Sequence, residues 1–242
     1  MKTSPRPSPP HRLRQMHDLL LHAYGPQHWW PAQTAIEVVI GAYLTQNTSW
    51  KGVERSLQNL RNAQALSLEG LRSIPVADLQ ELIRPSGFQT RKAPAIRAFI
   101  AMLDAEFSGS LDTMASAPTP LLRKRLLQLP GVGPETADAI LLYALRHPIP
   151  VADEYLRRIV DRHGMVVPSP RRNRAEYESL TQLTRQAFSS DPAHVHVPLY
   201  NEFHALTVAV GKAHCGRVAN CAQCPLAVDL DQTKAASGST SK

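Results

Sequence analysis

Residues 129–144, LPGVGPETADAILLYA, predict a helix, a short glycine-rich turn and a second helix. Gly131 and Gly133 permit backbone angles that side chains forbid, and Pro134 suits the first turn of a helix, where no amide hydrogen is required. The turn amides, including that of Val132, and the N-terminus of the second helix would then point in one direction and form an anion site. A backbone phosphate of DNA fits such a site. A plain corner between two helices is the alternative interpretation of the glycines alone.

The rest of the chain shows apolar residues that recur at helical spacing far more often than they alternate. Clear stripes occur over residues 13–23, 53–60 and 96–103. We therefore predict an all-α fold of about ten helices. No apolar run reaches the ~18 residues that a membrane helix needs, so we expect no membrane partner.

The charge balance favours a polyanionic partner. Lys and Arg outnumber Asp and Glu by 27 to 20 in 242 residues, which gives a net charge of +7 and a pI of about 9.6. Nucleic acid is the first candidate for such a basic protein. The basic start, MKTSPRPSPPHR, is followed by no apolar core, so we expect no secretory signal and a cytoplasmic location.

The hairpin string resembles the helix-hairpin-helix signature of the endonuclease III family of DNA glycosylases. In that family a catalytic aspartate follows a short apolar run at the start of the next helix, and here Asp153 follows residues 150–152. LTQNTSW at 44–50, with Gln46, resembles the segment that fills the hole left by a flipped base. GFQTRKA at 87–93 resembles a second loop near the lesion.

The resemblance implies a two-lobed helix-hairpin-helix glycosylase fold with a central cleft for double-stranded DNA. The hairpin amides would anchor the DNA, Gln46 would wedge into the duplex, and Asp153 would face the sugar. We expect a monomer. The implied division is a disordered basic arm at 1–12, a helical lobe at 35–144 that ends in the hairpin, a discontinuous lobe of 13–34 with 145–230, and a disordered tail at 231–242.

Asp153 has the chemistry that hydrolysis of an N-glycosidic bond requires. Breaking this bond places positive charge on the sugar, which a carboxylate can stabilise while it positions or deprotonates the attacking water. A helix N-terminus favours the ionised form of such a carboxylate. The alternative is that Asp153 only caps the helix that follows it.

Glu135 marks a departure from the family pattern. Family members that also cleave the strand carry a lysine in a GxGxKTA arrangement, and the matching position here is Glu135. A carboxylate cannot form an imine, so we expect a monofunctional glycosylase that uses water and leaves an abasic site. Glu135 either shapes the base pocket or is a solvated glutamate at the start of a helix. The other possibilities are a non-catalytic DNA-binding relative and a strand-cleaving enzyme that uses Lys124 or Lys212.

Two adjacent tryptophans suggest which base is removed. Trp29-Trp30-Pro31 resembles the aromatic pair of the endonuclease III-like 3-methyladenine glycosylases. Electron-rich rings attract cationic methylated purines, so we expect an alkylated base. The alternatives are that both tryptophans are core anchors, or that the substrate is an oxidised pyrimidine or a mismatched base.

The cysteines indicate a metal site in a reducing cytoplasm rather than disulfides. Their spacing resembles the cluster loop of the family, but the first gap is one residue short and the fourth position is Leu230. A [4Fe-4S] cluster, a zinc site completed by His214, and a loop without metal all remain open, with Asp229 as a weak extra ligand. All three cysteines of the chain lie within ten residues: Cys215, Cys221 and Cys224.

Overall fold

The structure of the protein is a computed structural model that describes residues 7–165 and 173–230. In these two ranges the chain forms helices joined by turns and loops, with no β-strand. The prediction of an all-α fold is confirmed. The proposed tail at 231–242 and residues 1–6 of the proposed arm lie outside the described residues.

The described part of the chain contains twelve α-helices, together with short 3₁₀ turns and one π-helical turn. The α-helices are α1 (Pro9–Tyr24), α2 (Ala35–Leu44), α3 (Trp50–Asn62), α4 (Leu68–Ser73), α5 (Val76–Ile83), α6 (Gln89–Phe107), α7 (Leu111–Ala115), α8 (Thr119–Leu126), α9 (Pro134–Ala139), α10 (Glu154–Arg162), α11 (Arg174–Ala187) and α12 (His196–Ala213). The 3₁₀ turns are Arg84–Ser86, Ala193–Val195 and Pro225–Asp229, and the π-helical turn is Ile140–Ala144.

Three short helices do not coincide with any apolar stripe found in the sequence. They are α4, α5 and α7, which have six, eight and five residues. Two turns of helix or fewer carry too few apolar positions to establish a 3.6-residue period. Each is fixed instead by one or two fully buried residues, such as Leu71 in α4 and Met114 in α7.

The chain divides into two units, Trp30–Pro148 and the combination of Met1–Trp29 with Ile149–Lys242. One unit is therefore continuous and the other is built from both ends of the chain. These boundaries fall a few residues from those drawn at 34/35 and 144/145 on the sequence.

The continuous unit is built around α2, which is buried over nearly its whole length. Helices α3 and α6 pack against α2, and the Tyr43 ring lies 6.3 Å from that of Phe99. The single acidic residue of α2, Glu37, is also buried. It accepts a hydrogen bond from the backbone N–H of Gln33 and pairs with Arg61, so its charge is compensated.

The discontinuous unit packs α1 against α11 and α12, and α10 against α12. Its core contains the Phe188 ring, which lies 5.3 Å from Phe203 and 5.4 Å from His17. Helix α1 begins at Pro9, and Arg12 is buried. The predicted arm at 1–12 is therefore wrong over residues 9–12, because the prolines there start a helix instead of preventing one.

Candidate active site and nucleic-acid interface

The hairpin joins α8 to α9 through a tight turn. Gly131 has φ +72°, a left-handed backbone that favours glycine. Gly133 has φ −92° and ψ 177°, which any residue can adopt. The conformational freedom that glycine permits is therefore used at Gly131 and not at Gly133.

Gly133 instead leaves open space at the start of α9. A Cβ placed there would meet no other heavy atom within 4 Å. Val132 differs from both glycines, since its side chain is buried and its N–H donates to the carbonyl oxygen of Leu129 at 3.2 Å. The Val132 amide is thus used inside the turn, which leaves Gly131 and Gly133 as the candidates for a phosphate contact.

Two polar contacts brace the hairpin. Arg123 on α8 donates two hydrogen bonds, at 2.7 and 3.0 Å, to the fully buried carboxylate of Asp138 on α9. The Gln46 side chain donates to the carbonyl oxygen of Gly131 and to Thr136 Oγ1, both at 2.9 Å. The structure therefore brings Gln46 together with the hairpin, although they are far apart in the sequence.

Glu135, at the position of the family's lysine, is the second residue of α9 and is exposed. Helix α9 continues directly into the π-helical turn Ile140–Ala144. Wider turns of this kind often occur at functional sites.

Asp153 is the N-cap of α10. Its Oδ1 accepts a hydrogen bond from the Leu156 N–H at 2.9 Å, and its side chain is only 10% exposed. Its Oδ2 lies 3.8 Å from Nε2 of His204 on α12. The residues before it, Val151 and Ala152, are buried and hold the start of the helix in the core.

Trp29 and Trp30 lie in different surroundings. Trp29 lies against His204, with ring centroids 5.5 Å apart. Trp30 lies against Tyr143 of the π-helical turn at 5.2 Å and against Trp50 at 5.8 Å. All of these rings except that of His204 are half-buried. Sequence reasoning assigned no functional role to Tyr143, Trp50 or His204, because nothing in their local sequence links them to the two tryptophans.

A further exposed aromatic side chain comes from the loop at 87–93. Phe88 is 54% exposed and has φ +52°. Lys92 in the same segment is buried, and its Nζ donates to the carbonyl oxygens of Leu44 and Ser86, each at 2.8 Å. Burial lowers the pKa of Lys92 to about 8. This lysine ties the end of α2, just before Gln46, to the loop that carries Phe88.

The cysteine loop is held at its start by the last residue of α10. Arg162 donates to Cys215 Sγ at 3.0 Å and to the Gly216 carbonyl oxygen at 2.8 Å. Cys215 is buried, Cys224 is partly buried and Cys221 is exposed. Burial, together with the neighbouring thiols, raises the pKa of Cys224.

The end of the loop is held by ion pairs. Asp229 accepts hydrogen bonds from Arg12 Nε and His163 Nδ1, both at 2.8 Å. Burial by itself raises the pKa of Asp229, but these hydrogen bonds and charges lower it to about 2. Asp229 is therefore committed to Arg12 and His163 and is not available as a metal ligand.

The side chains present do not fit a four-ligand iron–sulfur cluster. Leu230 replaces the fourth cysteine, and Nδ1 of His214 lies 3.2 Å from the carbonyl oxygen of Asn220. Within residues 7–165 and 173–230, no three His, Cys, Asp or Glu side chains are grouped as metal ligands. This donor set departs from the four thiolates that such clusters use.

The fold and these sites define a helix-hairpin-helix protein of the DNA glycosylase class. Residues 40–184 match the HhH-GPD superfamily of base excision DNA repair proteins. The chain belongs to this family, and the resemblance seen in the sequence is confirmed. Base excision repair of DNA is thus the function of the family to which the protein belongs. None of the described helices is both long enough and apolar enough to cross a bilayer.

Individual relatives agree with this assignment. A protein of Methanocaldococcus jannaschii named as a DNA repair glycosylase is 38% identical over 216 residues, which cover 88% of this chain and 93% of that protein. A thymine-DNA glycosylase of Aeropyrum pernix is 25% identical over 194 residues, 78% of each chain. The 3-methyladenine DNA glycosylase of H. pylori, solved with bound 1,N6-ethenoadenine, has a TM-score of 0.73 and 27% identity; the match covers 86% of this chain and 98% of that chain.

Proposed function

We propose that the protein hydrolyses the N-glycosidic bond of alkylated purines in double-stranded DNA and leaves the strand uncut. The proposal that the strand stays intact rests on Glu135, because a carboxylate at the lysine position cannot form the imine that strand cleavage requires. Similarity to the H. pylori 3-methyladenine DNA glycosylase supports the choice of base.

Asp153 is the proposed catalytic residue. Its Oδ1 is fixed by the Leu156 N–H, so the direction of the carboxylate is set by the first turn of α10. A carboxylate held in this way can stabilise the positive charge that develops on the sugar and can orient the attacking water. A methylated purine carries positive charge and is a good leaving group, so no second acid is needed.

The base would stack on aromatic rings. Trp30, Trp50 and Tyr143 form a half-buried group of electron-rich rings. Such rings attract a cationic base more strongly than its neutral parent. This preference supports a methylated purine over an oxidised pyrimidine.

The DNA backbone would bind at the turn of Gly131 and Gly133, where a Cβ on Gly133 would meet no heavy atom within 4 Å and one on Gly131 would meet only the Ala95 Cβ, at 3.8 Å. Gln46 and Phe88 are the candidates to enter the duplex. Gln46 would first have to release Gly131 and Thr136, while Phe88 is already exposed. Unstacking a base costs a few kcal/mol, which the backbone contacts must offset.

We also propose that the protein acts as a monomer in the cytoplasm and that its cysteine loop folds without a cluster. The last proposal rests on Leu230 and on the engagement of Asp229 by Arg12 and His163. Metal analysis of protein purified without oxygen tests it, since about four irons per chain would contradict it.

The deciding experiment measures base release from three duplexes, which carry a methylated purine, an oxidised pyrimidine or a G·T mismatch. Wild type should release the methylated purine without strand cleavage and without a borohydride-trapped adduct. Asp153→Asn should lose this activity but still bind DNA. Asp161→Asn, an exposed carboxylate near the other end of α10, is the matched control and should keep it.

Other outcomes would replace the proposal. Release only from the G·T duplex would favour thymine removal, which the similarity to the Aeropyrum pernix enzyme supports as a second candidate. Release only of the oxidised pyrimidine would exclude the alkylation proposal. Undiminished activity of Asp153→Asn would remove Asp153 from its catalytic role.

A further inference from the structure

His204 is a buried polar residue in the middle of α12, with 6% of its surface exposed. Its Nε2 lies 3.8 Å from Oδ2 of Asp153, and its ring lies 5.5 Å from that of Trp29 at an angle of 56°. One imidazole thus contacts both the proposed catalytic carboxylate and one of the two tryptophans.

The contacts of Asp153 divide between its two oxygens. Oδ1 is held by the Leu156 N–H, which comes from the same helix. Oδ2 faces His204, which comes from a different helix. A single hydrogen bond leaves a carboxylate free to turn about its Cβ–Cγ bond, whereas a second polar group on the opposite oxygen restricts that turn.

Burial of the imidazole also needs an explanation. A buried polar ring costs free energy unless it has polar partners. An apolar side chain of similar size could fill the same space beside Trp29. A ring nitrogen 3.8 Å from the Asp153 carboxylate gives this buried polar side chain a polar neighbour.

We propose that His204 is a positioning residue that fixes the orientation of the Asp153 carboxylate and the position of the Trp29 ring during base release. This inference rests on the proposed function, because it assigns His204 to the same reaction. His204 would act through Asp153 and not on the DNA itself. A catalytic group displaced by about 1 Å can lose about 100-fold in rate, so even a small turn of Asp153 would be measurable.

The test compares His204→Leu, His204→Gln and His204→Asn with wild type. The single-turnover rate is measured with enzyme in excess on whichever duplex wild type acts upon. We expect His204→Leu to lower this rate by about 10- to 100-fold, with DNA affinity within about twofold of wild type. His204→Gln keeps an N–H donor near the position of Nε2 and should recover most of the rate.

A matched control separates positioning from core packing. His17 is also buried in this unit, but its ring packs on Phe188 and Phe203 and pairs with Asp18. His17→Gln should alter the melting temperature at most and leave the single-turnover rate unchanged.

The outcomes are distinguishable. If Asp153→Asn is inactive and His204→Leu is as fast as wild type, the role of His204 is overturned and the proposed function stays intact. If Asp153→Asn is fully active, the proposed function itself is overturned. If His204→Leu does not fold, His204→Gln and His204→Asn decide: the shorter asparagine should be slower, and equal rates contradict the proposal.

Discussion

Glu135 is the residue on which the proposed absence of strand cleavage depends. It is exposed at the second position of α9. We predict that Glu135→Lys acquires a borohydride-trapped adduct with damaged DNA, at least about tenfold above wild type, because an amine can attack the sugar where a carboxylate cannot.

The adduct is measured as a slower band on a denaturing gel. Glu135→Gln is the control, since it removes the charge without supplying an amine, and it should give no adduct. A wild-type adduct of equal yield would show that another lysine does the chemistry.

The titration of Asp229 should affect the stability of the protein. The pKa of Asp229 is lowered to about 2 in the folded protein, against about 3.9 in an unfolded chain. A carboxyl whose pKa is depressed by folding stabilises the fold above its unfolded pKa, and this contribution disappears as the pH falls through the folded pKa. We therefore predict a loss of about 2 kcal/mol in unfolding free energy between about pH 5 and pH 2 from this residue.

Urea unfolding at a series of pH values measures this loss. Asp229→Asn should be less stable at pH 7 and should lose less stability on acidification than wild type. Asp104→Asn breaks an ion pair with Arg72 that is about 40% exposed, and it should change the curve much less. An identical pH dependence in wild type and Asp229→Asn would contradict the prediction.

Helices α10 and α12 meet at a glycine. A Cβ on Gly211 of α12 would lie 2.2 Å from Cδ1 of Tyr155, the second residue of α10. The two helices must separate to admit a methyl group, so Gly211→Ala should destabilise the protein by about 1–3 kcal/mol. Because Asp153 caps α10, the same change should also slow base release.

Thermal melting and single-turnover kinetics measure these two effects. Gly133→Ala is the control for stability, since a Cβ there meets no neighbour within 4 Å. Tyr155→Ala combined with Gly211→Ala should be destabilised by less than the sum of the two single changes. Full additivity would show that Tyr155 and Gly211 are not in contact.

The charge of the whole molecule should appear in its DNA binding. A net charge of +7 favours contacts with phosphates, and each contact releases counterions. If about five phosphates are contacted, affinity for undamaged duplex should fall by about 10²- to 10³-fold between 50 and 200 mM salt.

Fluorescence anisotropy with a labelled duplex measures this dependence. Asp153→Asn should show the same slope against salt, because the role proposed for this aspartate is at the sugar and not at the phosphates. Affinity that is independent of salt would exclude a binding mode dominated by the backbone.

Local patterns in the sequence were enough to establish the helical class, the hairpin, the basic charge and the family. The reason is that turn glycines, helix caps and amphipathic spacing act within a few residues of one another. Asp153 was identified from the family resemblance, in which a catalytic aspartate follows a short apolar run after the hairpin. Its role as the N-cap of α10 is equally local.

Contacts between distant parts of the chain depended on how the helices pack. The sequence could not show that Trp29 and Trp30 have different neighbours, that His204 faces Asp153, or that Gln46 binds the hairpin. Nor could it show that Asp229 is held by Arg12, 217 residues away. Such pairs leave no periodic signal in the sequence. The spacing of residues within one helix does not encode them, because the packing of separate helices brings the two partners together.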